Sequence, residues 1–461
     1  MNNTFSINNY FNFYPTDDQK YAFQYMKSFV KNETLDVLIM SGAAGTGKTS
    51  MMIALKKYLQ EQKVCFTIIA PTHRASRVIG KKVQWPTSTI HQLIYDVNQI
   101  KDEEGNVNKI EFVRKNIVST IPYIFIVDEA SMISDVKPSN EDEFASQNSV
   151  LFDLINYVKT FNSSSKIIFI GDSYQLPPVK SNFSPALMKS HLEKQFGLNV
   201  SAVELKEVKR QKEKSTILDN AIMLRKAFDQ KHFNVKINSE KVRDYDSWIN
   251  SFCNFYLKDS QSSVILSWKN DRVREINMDV RNKLFNNPIG LVCIGEQLIS
   301  SARYVGSSVN FPNNTFLEVC EVSQVEENIA GFRFVDVRLK IVDDNLEMES
   351  FVKLRLNDLI ENDDFNSKNI ILIADRMKQN KKFRESKNIM HDPYLSAVKA
   401  KYAYALTVHK SQGGEWKNVF LFPDFPFGQQ KLNWLYTAVT RASNNLYSFD
   451  NNLIYQSRKT L

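Results

Sequence analysis

The segment Ser41-Gly42-Ala43-Ala44-Gly45-Thr46-Gly47-Lys48-Thr49 limits this chain more than any other: it fits G-x-x-x-x-G-K-[ST], directly after an apolar run and before a helical pattern. Glycines at these places let backbone N–H groups curl around phosphate oxygens, and the N-terminus of the following helix adds a favourable dipole. Lys48 is then placed to bridge the β- and γ-phosphates, and the Thr49 hydroxyl to ligate Mg2+. A glycine turn that merely caps a helix is the plain alternative, and the strand–loop–helix context weighs against it. The chain is predicted to bind a nucleoside triphosphate through Ala44, Gly45, Thr46, Gly47, Lys48, Thr49 and Ser50.

Around this loop the first half alternates short apolar runs with helix-period segments. Runs 35–40, 66–70, 121–127 and 166–170 read as buried strands, each ending at a polar or glycine-bearing turn. Between them lie segments such as 50–60, where Ile53, Leu55, Tyr58 and Leu59 form an apolar stripe. That order predicts a doubly wound parallel sheet, whose ligands sit at the carboxyl ends of the strands. A second α/β block follows, with strand-like 264–267 and 419–422 and a helix at 271–285. It is split by the β-rich runs 316–322, 332–342 and 351–354, which suggest a small barrel. After that barrel, 376–387 holds six basic residues and one acid. Segment 97–115 has turn chemistry at Glu104-Gly105-Asn106 and reads as a β-hairpin.

With 461 residues, 43% hydrophobic and 24% charged, the chain is an ordinary globular protein rather than a disordered tail, a coiled-coil rod or a small disulfide scaffold. No apolar run approaches the ~18 residues of a membrane span. The N-terminus shows neither a basic n-region nor an apolar core, so no secretory signal is expected. The cysteines, Cys65, Cys253, Cys293 and Cys320, are far apart and form no CxxC pair. They read as reduced packing thiols in a cytoplasmic setting, with no zinc site. A net charge of +8 suits a polyanionic partner, although solvated lysine faces give the same balance.

Val127-Asp128-Glu129-Ala130-Ser131 closes one predicted strand at the sheet edge that carries the phosphate loop. There Asp128 can hold Mg2+ through water, and Glu129 can take a proton from an attacking water, a hydrolase trait that a phosphate-transferring kinase does not need. Taken alone, the pair is an ordinary polar strand end. Gly171-Asp172-Ser173-Tyr174-Gln175-Leu176-Pro177-Pro178 ends the next strand. Gln175 is suited to sensing a γ-phosphate, although the string by itself reads as a Pro-bounded loop.

These three motifs, in this order, resemble superfamily 1 helicases of the RecD/Dda type, and the resemblance runs through most of the chain. Pro15-Thr16-Asp17-Asp18-Gln19 is similar to the Q motif, whose glutamine recognises adenine. Ala70-Pro71-Thr72-His73-Arg74-Ala75 resembles motif Ia, and Thr87-Ser88-Thr89-Ile90-His91 the strand-contacting motif after it. Leu205-Lys206-Glu207-Val208-Lys209-Arg210-Gln211 resembles motif IV, and Ser267-Trp268-Lys269-Asn270 the T-N segment, from whose commonest spelling Trp268 and Lys269 depart. The string 406–415 (LTVHKSQGGE) resembles motif V, and 435–442 (LYTAVTRA) motif VI.

The resemblance implies two RecA-like P-loop cores, α/β with parallel sheets flanked by helices, plus a hairpin insertion and an SH3-like β-barrel accessory domain. The implied limits are 1–205 for the first core with its hairpin (the pin) at about 95–116, 206–297 and 401–461 for the second core, and 298–400 for the inserted barrel with its basic helical segment. ATP would lie between the cores, with Arg210 and Arg441 as arginine fingers and Glu415 near the nucleotide sugar; outside the motif each would read as an ordinary surface or ion-paired side chain. Pro71, Thr72, His73, Thr89, His91, Asn270, Thr407, His409 and Ser411 would contact the backbone of a single strand, without base readout. Tyr95, Trp268 and Trp434 are candidates for base stacking, against a core-packing alternative. A metal reading for the histidines lacks a cysteine or carboxylate partner at ligand spacing. The hairpin's wedge residue is left unassigned, its apparent tip being polar and Phe112 lying farther along.

The implied activity is an ATP- and Mg2+-dependent DNA helicase, a monomer as motor unit, acting on single-stranded DNA and on duplex with a single-stranded tail. Proteins of replication, recombination or repair are possible partners, and no membrane is involved. The motif spellings lie nearer the 5′→3′ branch than the UvrD-like 3′→5′ branch. A superfamily 1 RNA helicase and an ATP-switched single-strand binding protein remain as alternatives; the latter would lack Glu129 or a finger arginine.

Overall fold

The computed structural model describes residues 7–101, 107–137, 144–145, 148–207, 216–288, 290–306, 309–344, 346–361 and 366–449. Its first sheet runs, edge to edge, Thr87–Thr89, Phe66–Ala70, Ile124–Val127, Lys166–Gly171, Val37–Gly42 and Val200–Leu205, all parallel. A central parallel strand is covered on both faces, so its sequence is a continuous apolar run, as in Ile124-Phe125-Ile126-Val127. The run expected from residue 121 shortens to this strand. Pro122 lacks the N–H that an interior ladder needs, and Ile121 is 55% exposed. The helices Lys48–Glu61 and Asp17–Lys31 pack on one face around Met51, Leu55, Phe23 and Met26. Val150–Phe161 covers the other face around Leu151, Leu154 and Val158.

The strands Tyr95–Lys101 and Val107–Arg114 pair antiparallel as a hairpin off this core, and Phe144–Ala145 joins its edge. Residues 102–106, which include the expected turn Glu104-Gly105-Asn106, lie outside the described residues.

A second parallel sheet runs Glu240–Lys241, Ala442–Ser448, Trp416–Leu421, Ser263–Ser267 and Ala405–Thr407. Its central strand 263–267 is flanked by strands from beyond residue 400, so the intervening chain forms an insert outside this sheet. That chain forms an antiparallel sheet ordered Leu346–Glu347, Phe332–Ile341, Phe316–Ile329, Gln297–Ser300 and Ala400–Tyr402, with Val352–Arg355 also on Phe332–Ile341. The basic segment 376–387 falls on the helices Asn366–Gln379 and Lys381–Ser386. Arg376 there is buried, donating from Nε to Asp392 at 2.8 Å, so part of that charge is structural. Among the described residues no helix is long and apolar enough to cross a membrane, and the four cysteines carry free thiols.

Candidate nucleotide cleft and strand track

The phosphate loop joins Val37–Gly42 to the Lys48–Glu61 helix, with Gly45 and Gly47 at φ of 85° and 93°. These are left-handed values that favour glycine. A carbon added at Gly47 would also stand 2.5 Å from Gln19 Nε2. Gln19 is buried and ties the N-terminal helix to the loop: Nε2 donates to the Thr46 carbonyl at 3.0 Å, while Oε1 accepts from Thr16 N in a reciprocal cap. The Lys48 ammonium donates to the Gly42 and Ala43 carbonyls (2.6 and 3.0 Å) and lies 3.9 Å from Asp172 Oδ2.

Asp128 and Glu129 follow Val127 directly, and Glu129 adopts φ 51°, a conformation unusual for a non-glycine residue. Burial, reinforced by the Glu129 carboxylate, pushes the Asp128 carboxyl up to about 7, with Lys48 opposing. Two adjacent acids without enough nearby cation form a donor set that fits a divalent ion. At the next strand end, Gln175 is 4% exposed and its Oε1 has no hydrogen-bond partner. Neither has the buried Ser131 hydroxyl. Unpaired buried acceptors in a cleft are costly unless a ligand or water meets them.

The second core closes this cleft. Ala44 N donates to the Tyr436 hydroxyl at 2.9 Å, and that hydroxyl donates to Asp172 Oδ2 at 2.7 Å. Leu176 N donates to Thr437 Oγ1 at 2.8 Å, and Gln412 Nε2 to the Leu176 carbonyl at 3.1 Å. Arg441 begins one turn beyond Tyr436, on the same core. Its guanidinium donates to the carbonyls of Thr437 and Gly414 (both 3.1 Å) and to Thr440 Oγ1 at 3.3 Å. Arg210 lies outside the described residues. Glu415 stands 3.8 Å from Lys82 of the first core. Asp172 and Tyr436 were within recognised strings but carried no assigned role. Their roles arise from a contact between distant segments that no local pattern encodes.

The strand-facing candidates divide. Thr72, Thr89 and Thr407 cap the helices His73–Val83, Ile90–Ile94 and Val408–Ser411, their hydroxyls accepting from the N–H groups of Ala75, Gln92 and Lys410. Pro71 is half-buried between the strand end and this first cap. Ser411 is fully buried and donates to the Val408 carbonyl at 2.8 Å, so its hydroxyl holds the turn. His73 is pushed down to about 4 by burial and by the charges of Arg77, Arg303 and His91. Burial also lowers His91 and His409. All three are therefore neutral donors near pH 7. Asn270 and His409 line a cavity of about 510 Å3 with Trp268, Lys269 and Asp271. The Asp424 carboxylate organises its rim, accepting from Ser267 Oγ (2.9 Å), Trp268 N (2.8 Å) and Lys269 N (3.1 Å). Tyr95 and Trp434 are core residues; Tyr95 donates to Asp153 at 2.8 Å and Trp434 is fully enclosed.

An AAA domain family matches residues 16–246, and a UvrD-like helicase C-terminal domain family matches residues 402–447. The chain is 25% identical to the RecBCD enzyme subunit RecD of Buchnera aphidicola subsp. Schizaphis graminum, over 91% of this chain and 71% of that one. It is 24% identical to the ATP-dependent DNA helicase dda of Enterobacteria phage T4, over 94% and 98% of the two chains. The chain belongs to the superfamily 1 helicases of the RecD/Dda type. A crystal structure of Bacteroides Pif1 bound to ssDNA covers 97% of this helicase and is covered to 95% itself, with a TM-score of 0.50 and 15% identity, a likeness of fold. In this helicase the two family matches lie on either side of the cleft. Lys48, Asp128 and Gln175 fall in the first, and Tyr436 and Arg441 in the second.

Proposed function

We propose that this ATP-dependent DNA helicase translocates 5′→3′ on single-stranded DNA, opening duplex by alternately closing and parting its two cores around ATP. The observation that carries the reading is the Tyr436 hydroxyl between Ala44 N and Asp172, because it sets motif VI of one core on the phosphate loop of the other.

In this reading Lys48 leaves the Gly42 and Ala43 carbonyls to neutralise the β- and γ-phosphates. Glu129 accepts the proton of the attacking water, and Gln175 meets the water or the γ-phosphate with its unpaired amide oxygen or its NH2 group. Thr49 and Asp128 would hold Mg2+, which supplies further neutralisation of the phosphate oxygens when bound. Arg441, with Arg210, supplies positive charge to the equatorial oxygens, an effect worth about 10³–10⁵ in rate. Gln19 stands for adenine recognition and Glu415 for the sugar side of the cleft.

The single strand is read as crossing both cores, from His73 and His91 past Asn270 and His409. Neutral imidazole and amide groups grip phosphate without choosing a base, as a motor moving over any sequence requires. The hairpin 95–116 serves as the pin. The domain limits are 1–205, then 206–297 with 401–461, and 298–400 as an SH3-like barrel carrying the basic helices. An unwinding assay with blunt, 5′-tailed and 3′-tailed duplexes, with and without ATP, tests this directly. Only the 5′-tailed duplex should open, and preference for a 3′ tail would reverse the polarity.

A further inference from the structure

Arg74 follows the strand-facing pair Thr72-His73, yet its guanidinium turns away from that track and into the other core. Its Cζ lies 4.4 Å from the ring centre of Trp416 and 4.7 Å from that of Phe316, so one side chain of the first core is stacked between the second core and the inserted sheet. Its Nη1 is enclosed and has no hydrogen-bond partner. Burial pulls this arginine down to about 10, Asp343 opposing and Arg441 adding to the effect.

The neighbour that matters is Gly414. A carbon added there would stand 2.5 Å from Trp416 Cη2 and 2.8 Å from Arg74 Cζ, so only glycine lets the indole and the guanidinium pack together against this backbone. The Gly414 carbonyl is also the acceptor that holds Arg441 Nη1 at 3.1 Å. Two guanidinium groups thus converge on one peptide unit, one bonded to its carbonyl and the other with a donor to spare. The rest of the His73–Val83 helix grips the same loop: Ala75 packs on Gly413 and Lys82 pairs with Glu415 at 3.8 Å. Arg77 and Lys81 hold Asp343 of the insert.

An Arg441 that reaches the nucleotide must release the Gly414 carbonyl and leave a buried acceptor unpaired, which is unfavourable. We propose that Arg74 is a positioning residue that takes over the Gly414 carbonyl through Nη1 when Arg441 swings to the phosphate, so that release of the finger and the hold of the strand-facing helix on motif V are one event. This rests on the reading of Arg441 as a finger. Arg74 touches neither nucleotide nor strand; it ties the state of one to the grip on the other.

The test measures ATP turnover with and without a saturating DNA oligomer for Arg74→Lys, Arg74→Gln and Gly414→Ala, each alone and with Arg441→Ala, alongside nucleotide affinity and thermal melting. Each folded variant should keep nucleotide affinity but lose roughly tenfold in stimulation by DNA, a size usual for coupling between two sites. Lysine should not rescue, since it keeps the charge but not the planar fork. In the Arg441→Ala background the Arg74 and Gly414 changes should cause no further loss. Stimulation within twofold of the parent in any folded variant, or full additivity with Arg441→Ala, overturns the proposal. Gly414→Ala drives a methyl against the Trp416 ring and the guanidinium stacked on it while leaving Arg74 itself in place, so it reports even if Arg74 variants melt. If Arg441→Ala alone leaves turnover unchanged, it is the finger reading that fails, a different result.

Discussion

The Ala44 amide of the phosphate loop donates to the hydroxyl of Tyr436, 392 residues away, at 2.9 Å. The same hydroxyl donates to Asp172, which lies 3.9 Å from the Lys48 ammonium. The second core therefore rests, in this state, on one of the backbone donors that a phosphate group would use. A phosphate taking the Ala44 amide would displace the Tyr436 hydroxyl.

Tyr436→Phe should consequently tighten nucleotide binding. The Ala44 amide loses its competitor, and a net hydrogen bond of about 0.5–1.5 kcal/mol no longer opposes the ligand. A fluorescent-nucleotide titration reads the change. Binding weakened more than twofold would show that the hydroxyl helps to hold the nucleotide.

Lys48→Ala should abolish turnover by removing the phosphate counter-charge. Glu129→Gln should bind ATP yet lose about 10²–10⁴-fold in hydrolysis, the usual span for a lost general base. Single-turnover kinetics separates the two. Near-normal hydrolysis by Glu129→Gln would remove it from that role.

Arg441→Ala should reduce DNA-stimulated turnover far more than nucleotide affinity, because its present partners are two backbone carbonyls and a hydroxyl of its own core and its gain comes only in the reacting state. Equal loss in both measurements would argue for a structural arginine.

Asp424→Asn should weaken single-strand binding and spare nucleotide affinity. Its carboxylate shapes the rim around Trp268 and Lys269 through three donors, and bonds to a charged acceptor contribute about 1.5–3 kcal/mol each. Fluorescence anisotropy with a labelled oligomer checks this, and unchanged affinity would place the strand away from this cavity.

Acid should destabilise the fold through His73. An unfolded histidine binds its proton near 6.5, whereas the folded His73 waits until about 4. The stabilising difference is whole above pH 6.5 and is lost as pH falls from there toward 4. Melting temperatures between pH 7.5 and 5 should fall less for His73→Gln than for the parent.

Much of the chemistry is local and was legible without coordinates. The phosphate loop, Asp128-Glu129 and Gln175 all sit where apolar strands end, and the run Ile124–Val127 is buried throughout. Two departures from the simple pattern are local as well. Pro122 shortened one strand, and Ser411, polar by type, went inside because its hydroxyl satisfies the Val408 carbonyl. The three threonines beside the strand track each cap a helix by accepting through the hydroxyl oxygen, which leaves the hydroxyl proton for a further acceptor.

What the amino-acid order alone determined is therefore the pair of nucleotide-type sheets, the residues at their carboxyl ends and the helicase family. Periodicity and short spacings encode these within a few dozen residues. Tertiary structure alone decided that Tyr436 occupies Ala44, that Asp172 faces Lys48, and that Arg74 lies between Trp416 and Phe316 beside Arg441. Those contacts join segments hundreds of residues apart, and their energy comes from desolvation and exact distance, which no stretch of sequence carries.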